Sequence, residues 1–233
     1  MSLMKKFQQR HAGGADKKSG PEKKSGTGRA VRSLPASGIG RQQALAKIDA
    51  ELAADLAGLK AIKSIKQKEA EKQAHLVPKY MPVVQTLKAA GSSHPLLGQI
   101  LVWLFDIKDI PGAMDLALYC LDHDVPMPER FKRDLPTFLA GTVLEWAEAE
   151  QEAGRTPEPY LTDMMDMSRE WDLPDPIRAG FYRVKGLMAM EKEDHTAAVA
   201  ALETAMEYGA KVKTALSAAE KKLESQAPAP DKA

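Results

Sequence analysis

Between residues 96 and 121 the apolar positions fall at helical spacing in two runs, parted by the polar pair Lys108-Asp109. Leu97, Ile100, Leu101, Leu104 and Phe105 make the first stripe, which Trp103 widens, and Ile110, Ala113, Met114, Ala117, Leu118 and Leu121 make the second. Asp109 stands where it can cap the second helix, and Pro111 where a first helical turn tolerates a missing N–H. His123-Asp124, followed by Pro126 and Pro128, closes the second run. The pattern predicts a buried helical hairpin, each arm too short to span a membrane.

On the N-terminal side, Leu45, Ile48, Leu52, Leu56, Leu59, Ile62 and Ile65 step by three and four, close to a coiled-coil seam. Only Gly58 interrupts this run before Pro78. The spacing predicts one helix from Gln42, and if continuous to His75 it would be about 50 Å long at ~1.5 Å per residue. A helix of that length packs on another chain or on a folded-back partner. Pro78 and Pro82 are expected to break the path, with a short helix through Val83, Val84 and Leu87 up to Gly91.

Beyond Pro128, Asp134-Leu135-Pro136 reads as a cap and first turn for a helix bearing Phe138, Leu139, Val143, Leu144, Trp146 and Ala147, stopped by Gly154. Thr156-Pro157-Glu158 opens another helix, with Tyr160, Leu161, Met164, Met165 and Met167 inward, and Asp175-Pro176 opens a third with Ile177, Phe181, Val184, Leu187 and Met188 inward. The last hairpin resembles the central one: aligning Asp109 with Asp194 superposes Ala113 on Ala198, Ala117 on Leu202 and Cys120 on Ala205. Tyr182, Gly186, Ala198, Leu202 and Ala205 fall on the spacing of a tetratricopeptide unit. A final helix is expected over roughly residues 210–224. The expected fold is all-α: a long N-terminal helix, then a compact helical domain of antiparallel hairpins, two of them tetratricopeptide-like. Its boundaries are a disordered basic arm over 1–41, the long helix over 42–78, the helical domain over 79–223, and a disordered tail over 224–233.

Composition supports this reading. Hydrophobic residues make up 44% and aromatics only 6%, and alternating Val/Ile/Thr runs are nearly absent. The net charge of +1 conceals a polarity along the chain, because residues 1–41 hold ten Lys/Arg against Asp16 and Glu22, which leaves −7 for the remainder. The arm includes Lys17, Lys18, Lys23 and Lys24. A second basic stretch, Lys60, Lys63, Lys66, Lys68 and Lys72, follows the acidic first half of the long helix. Lys68 and Lys72, four apart, repel mildly, which an anion would relieve, although Lys68–Glu71 and Glu69–Lys72 pairing suits a solvated face equally. Charge alone leaves phosphate contact and a plain solubilising role both open.

Candidate enzyme chemistry is sparse. The chain has no GxxxxGK[ST] loop and no GxSxG elbow. Cys120, the single cysteine, lies within an apolar helix and reads as a small buried residue. With no internal disulfide possible and no signal-peptide run at the N-terminus, a cytoplasmic location is expected. Asp122-His123-Asp124 has metal-ligating residue types but reads more simply as the polar end of a helix. Asp163 and Asp166 share a helix face near Arg169 and suit surface pairing. No cofactor, metal site or catalytic residue is expected.

Four segments together have a familiar order: the LKAIKS helix (59–64), the LVPKYMPVV link (76–84), the W-x2-D-x2-DIPGA turn (103–113) and the Met-Pro at 127–128. Over about residues 45–223 the chain resembles the small terminase subunits of contractile-tailed temperate phages, the GpM-type family. The resemblance implies a non-catalytic packaging protein that recognises the cohesive-end (cos) site on double-stranded phage DNA in the host cytoplasm. It also implies a ring-like homo-oligomer and a large terminase subunit, bearing the ATPase and nuclease, as partner. On that footing the expected DNA-binding residues are Lys60, Lys63, Lys66, Lys68 and Lys72 of the helix with Lys17, Lys18, Lys23 and Lys24 of the arm. A helix-turn-helix is not legible near the N-terminus, and residues 42–72 offer a long basic-ended helix instead. The competing expectation is a helical-repeat, protein-binding adaptor without DNA recognition.

Overall fold

A computed structural model describes residues 38–226, and every regular element among them is a helix. The chain divides into two compact units, Met1–Lys132 and Arg133–Ala233.

The first unit begins with α1 (Ile39–Ala61), followed after three residues by α2 (Ile65–Glu71), a π-helical turn (Lys72–Leu76) and α3 (Val77–Ala89), which run on from one another without a gap. The long helix expected over 42–78 is therefore broken at Ile62–Ser64. Conversely, the break expected at Pro78 and Pro82 does not occur, and Pro82 lies inside α3. A proline ring collides with the carbonyl four residues earlier in a regular α-helix. The π-turn, in which the Val77 N–H reaches back to the Lys72 carbonyl, inserts an extra residue just before Pro78 and widens the helix where its ring must fit.

The central hairpin is formed as expected by α4 (Pro95–Asp106) and α5 (Ile110–Asp122). Asp109 caps α5, accepting from the Gly112 N–H at 3.1 Å, and every residue of α4 from Leu96 to Phe105 is buried. The hairpin packs against α3 through Tyr80, Val83, Val84 and Leu87. The Tyr80 and Trp103 rings lie 6.1 Å apart at 54°, and the Tyr119 hydroxyl donates to the Ser92 carbonyl at 3.0 Å. Gly98 lets the backbone at Pro126 cross α4, since a Cβ there would collide with the Pro126 carbonyl. Arg130 then ties the exit segment down by donating to Gln99 Oε1 at 2.7 Å.

The second unit comprises α6 (Leu135–Glu152), α7 (Tyr160–Met167), α8 (Asp175–Glu191), α9 (His195–Glu207) and α10 (Lys213–Gln226). Asp134 caps α6 by accepting from the Thr137 N–H at 2.9 Å. Trp146 meets Tyr160 edge-on at 6.0 Å, joining α6 to α7, and Arg183 pairs with Glu148 at 2.6 Å, joining α8 to α6. The α8–α9 turn repeats that of the central hairpin. Lys108 and Glu193 both adopt left-handed backbone, at φ 60° and 59°, and the Asp109 and Asp194 N–H groups each reach back five residues at 3.0 Å. Asp194 accepts from the Ala197 N–H at 3.0 Å, just as Asp109 does three residues ahead.

Helices α8 and α9 approach closely because position 186 is glycine. A Cβ there would stand 2.7 Å from Leu202 Cγ and 3.3 Å from the Leu202 nitrogen, and Leu202 is fully buried among Ala198, Ala205, Val212 and Leu216. Gly186→Ala is expected to cost about 1–3 kcal/mol by overpacking, measurable as a lower urea midpoint with unchanged slope.

Candidate nucleic-acid interface

The turn between α1 and α2 gathers the lysines singled out by sequence. Ile62 and Ser64 take extended backbone (ψ 123° and 125°), so α1 stops at Ala61 with Leu59 buried beneath it and Lys60 exposed. Ser64 restarts the helix as its cap, accepting from the Gln67 N–H at 3.3 Å. The Ser64-Ile65-Lys66-Gln67 spacing is a capping signature, and it is the local signal that could have located this break. Lys60, Lys63 and Lys66 are exposed around the turn, and Lys68 is partly covered one turn further on. No acidic residue occurs between Asp55 and Glu69, so the stretch 56–68 carries a single sign of charge, with Glu69 and Glu71 following it on α2.

Lys72 is placed differently. Its side chain is only 13% exposed, and its ammonium bonds to Asp106 at the end of α4 at 2.6 Å, so it anchors the π-turn to the hairpin. Lys17, Lys18, Lys23 and Lys24 lie outside the described residues.

Asp55 and Asp49 give α1 polar links to the rest of the unit. Asp55 Oδ2 accepts from Lys79 Nζ and from the Tyr80 hydroxyl, both at 2.6 Å. Burial, with the hydrogen bond to Asp55 and the negative charge nearby, pushes the Tyr80 phenol far above its ordinary value, so it remains a donor. At the other end, His94 accepts from the Leu96 N–H at 3.2 Å and turns Nε2 toward Asp49 Oδ1 at 3.6 Å.

The other candidate residues have ordinary structural surroundings. Cys120 is fully buried, and burial pushes its thiol up to about 12, so it presents no thiolate near neutral pH. His123 stacks on Tyr119 with centroids 3.9 Å apart, and its Nδ1 lies 3.0 Å from the Tyr119 carbonyl. Asp166 pairs with Arg169 at 2.8 Å, while Asp163 is buried. Among the described residues no group of three or more His, Cys, Asp or Glu is arranged to hold a metal ion. No helix among them is long and apolar enough to cross a membrane.

The lysine-rich turn lies inside the segment quoted above for its resemblance. A family model described as phage small terminase subunit matches residues 49–176. The chain belongs to the phage small terminase subunit family. It is 31% identical over 158 residues to the "Terminase, endonuclease subunit" of Escherichia phage P2, covering 66% of this chain and 64% of that protein. It is 25% identical over 148 residues to the "Probable terminase, endonuclease subunit" of Haemophilus phage HP1 (strain HP1c1), covering 62% and 53%. The chain thus spans 64% and 53% of the lengths of these two relatives. No solved structure matches it. The matched region takes in the lysine-bearing turn and ends within the first turn of α8, leaving most of α8 with α9 and α10 beyond it.

Proposed function

We propose that this chain is the DNA-recognising subunit of a phage terminase. In this reading it binds double-stranded phage DNA at the cos packaging site, assembles as a ring-like homo-oligomer, and passes the DNA to the large terminase subunit in the host cytoplasm. The observation that carries the proposal is the acid-free lysine turn lying within the family segment. Lys60, Lys63, Lys66 and Lys68 supply phosphate contacts there, supplemented by Lys17, Lys18, Lys23 and Lys24 of the arm, while Lys72 keeps the turn anchored through Asp106. Several weak contacts per subunit become tight binding when repeated around an oligomer. The outer face of α1, with Ala46, Ala50, Ala53, Ala54, Ala57 and Ala61 exposed, suits close approach by a second helix. Residues 133–226 hold eleven Lys/Arg against eighteen Asp/Glu, a balance that favours protein over DNA as the partner of the second unit, and the large subunit is our choice.

Both relatives carry "endonuclease subunit" in their names. For this chain we assign strand cleavage to the large subunit in the assembled terminase, which a nicking assay on supercoiled DNA with Mg²⁺ checks directly; nicks made by this chain alone would overturn that assignment. DNA recognition is tested by a salt titration with duplex DNA. Log K should fall linearly with log salt, at about −0.9 per phosphate neutralised. Replacing Lys60, Lys63, Lys66 and Lys68 together by Gln should flatten the slope by about 3–4. An unchanged slope would remove the turn from the DNA interface. Absence of salt-sensitive DNA affinity, with large-subunit binding intact, would favour the adaptor built on tetratricopeptide-like hairpins.

A further inference from the structure

The apolar seam of the N-terminal segment has an odd last member. Ile48 and Leu59 are buried, and Leu45, Leu52, Leu56 and Ile62 are half-buried, whereas Ile65 is 72% exposed. The break at Ile62–Ser64 is the cause: it resets the helix, so the residue that would have continued the seam projects from the first turn of α2. Lys63 and Lys66 flank it, exposed, with Lys68 one turn on. A large apolar side chain is thus exposed between lysines, with Glu69 one turn on, at a capped helix start.

Charge complementarity selects the occupant. A second copy docking by the same patch would set lysines against lysines, a like-charge arrangement that costs rather than stabilises. A polyanion with an apolar interior satisfies both features, and duplex DNA has phosphates outside and stacked bases within. Apolar side chains inserted between base steps kink the duplex, at a cost of a few kcal/mol of unstacking that added backbone contacts offset. Isoleucine suits the task, since its β-branch leaves little rotamer freedom to lose. We propose that Ile65 is a wedge that enters a base-pair step of duplex DNA while Lys63, Lys66 and Lys68 hold the neighbouring phosphates. This rests on the DNA-binding reading above and adds DNA bending to it, with preference for easily unstacked TA and CA/TG steps.

The test uses the full chain, with end-labelled duplexes that either contain or lack a central TA step, and energy transfer between the ends as the readout of bending. Wild-type protein should bend the TA duplex. Ile65→Ala should abolish the bend and lower affinity for that duplex by on the order of tenfold, leaving the salt slope and thermal midpoint unchanged. Ile65→Phe should restore the bend. Bending that persists in Ile65→Ala would overturn the wedge, as would a native mass that shifts in that variant, which would make Ile65 a contact between copies. Binding of wild-type but not Ile65→Ala to phosphatidylserine vesicles, with no effect on DNA, would reassign the patch to an anionic membrane surface. Failure of the wild-type chain to show any salt-sensitive DNA affinity would instead sink the underlying DNA-binding reading.

Discussion

Trp103→Ala should destabilise the first unit by about 3–5 kcal/mol, the range for deleting a large buried aromatic. Trp103 is 1% exposed in the middle of α4, where the neighbouring positions Val102 and Leu104 are also buried, so the cavity has no solvent-facing side through which to relax. Its ring meets that of Tyr80 from α3, the residue whose hydroxyl holds α1. The loss therefore reaches past the hairpin, to the anchorage of the lysine-bearing turn. Urea unfolding followed by circular dichroism should show a markedly lower midpoint, and Trp103→Phe should recover most of the difference because it refills much of the volume. An unfolding free energy within about 1 kcal/mol of wild type for Trp103→Ala would mean that α3 and the hairpin do not share the core described here.

How much of this was legible beforehand depends on how local each cause is. The α4–α5 hairpin was fully written in its residues, because its apolar stripes, the Asp109 cap and Pro111 act within a few positions of one another. The similarity of the final hairpin was legible for the same reason, and Asp194 repeats the cap and the backbone turn of Asp109. The α1–α2 break was hidden because Leu59, Ile62 and Ile65 keep helical spacing straight through it; apolar periodicity marks which positions would share a face, not whether the backbone between them is helical. Only Ser64 with Gln67 marks the break. The continuity through Pro78 goes with a π-turn that no residue type announces, and Pro82 is carried inside α3. The candidate site was half visible. Charge picked out Lys60, Lys63 and Lys66, which emerge exposed, but nothing near Lys72 foretold its pairing with Asp106, 34 residues away, and Ile65 looked like one more core residue until the break turned it outward.

Asp55→Ala is expected to loosen α1 without unfolding the hairpin. Ile48 and Leu59 of α1 are buried and Leu45, Leu52 and Leu56 half-buried, and the Asp55 carboxylate adds a polar link to this partly covered seam. Its removal leaves Lys79 free to reach solvent but strands the hydroxyl of Tyr80, a residue 2% exposed. A charged hydrogen bond lost and a buried donor left unpaired together cost about 2–3 kcal/mol. Tyr80→Phe should cost less, because it removes the stranded donor and spares the Lys79–Asp55 pair. Hydrogen exchange should quicken across α1 in Asp55→Ala while the amides of α4 and α5 stay protected. The pH dependence follows from the raised Tyr80 phenol. A group whose proton is held more tightly in the folded state contributes stability below its unfolded value, near 10. That contribution fades as pH climbs beyond it, so α1 should detach at alkaline pH in the wild type and show a blunted response in Asp55→Ala. With α1 unlatched, Lys60 is no longer fixed relative to Lys66 and Lys68, so on the DNA-binding reading proposed above affinity for DNA should drop through lost preorganisation while the number of phosphates contacted, read from the salt slope, holds. An α1 that exchanges no faster in Asp55→Ala would show that its docking rests on its apolar seam, and that the turn is positioned without this link.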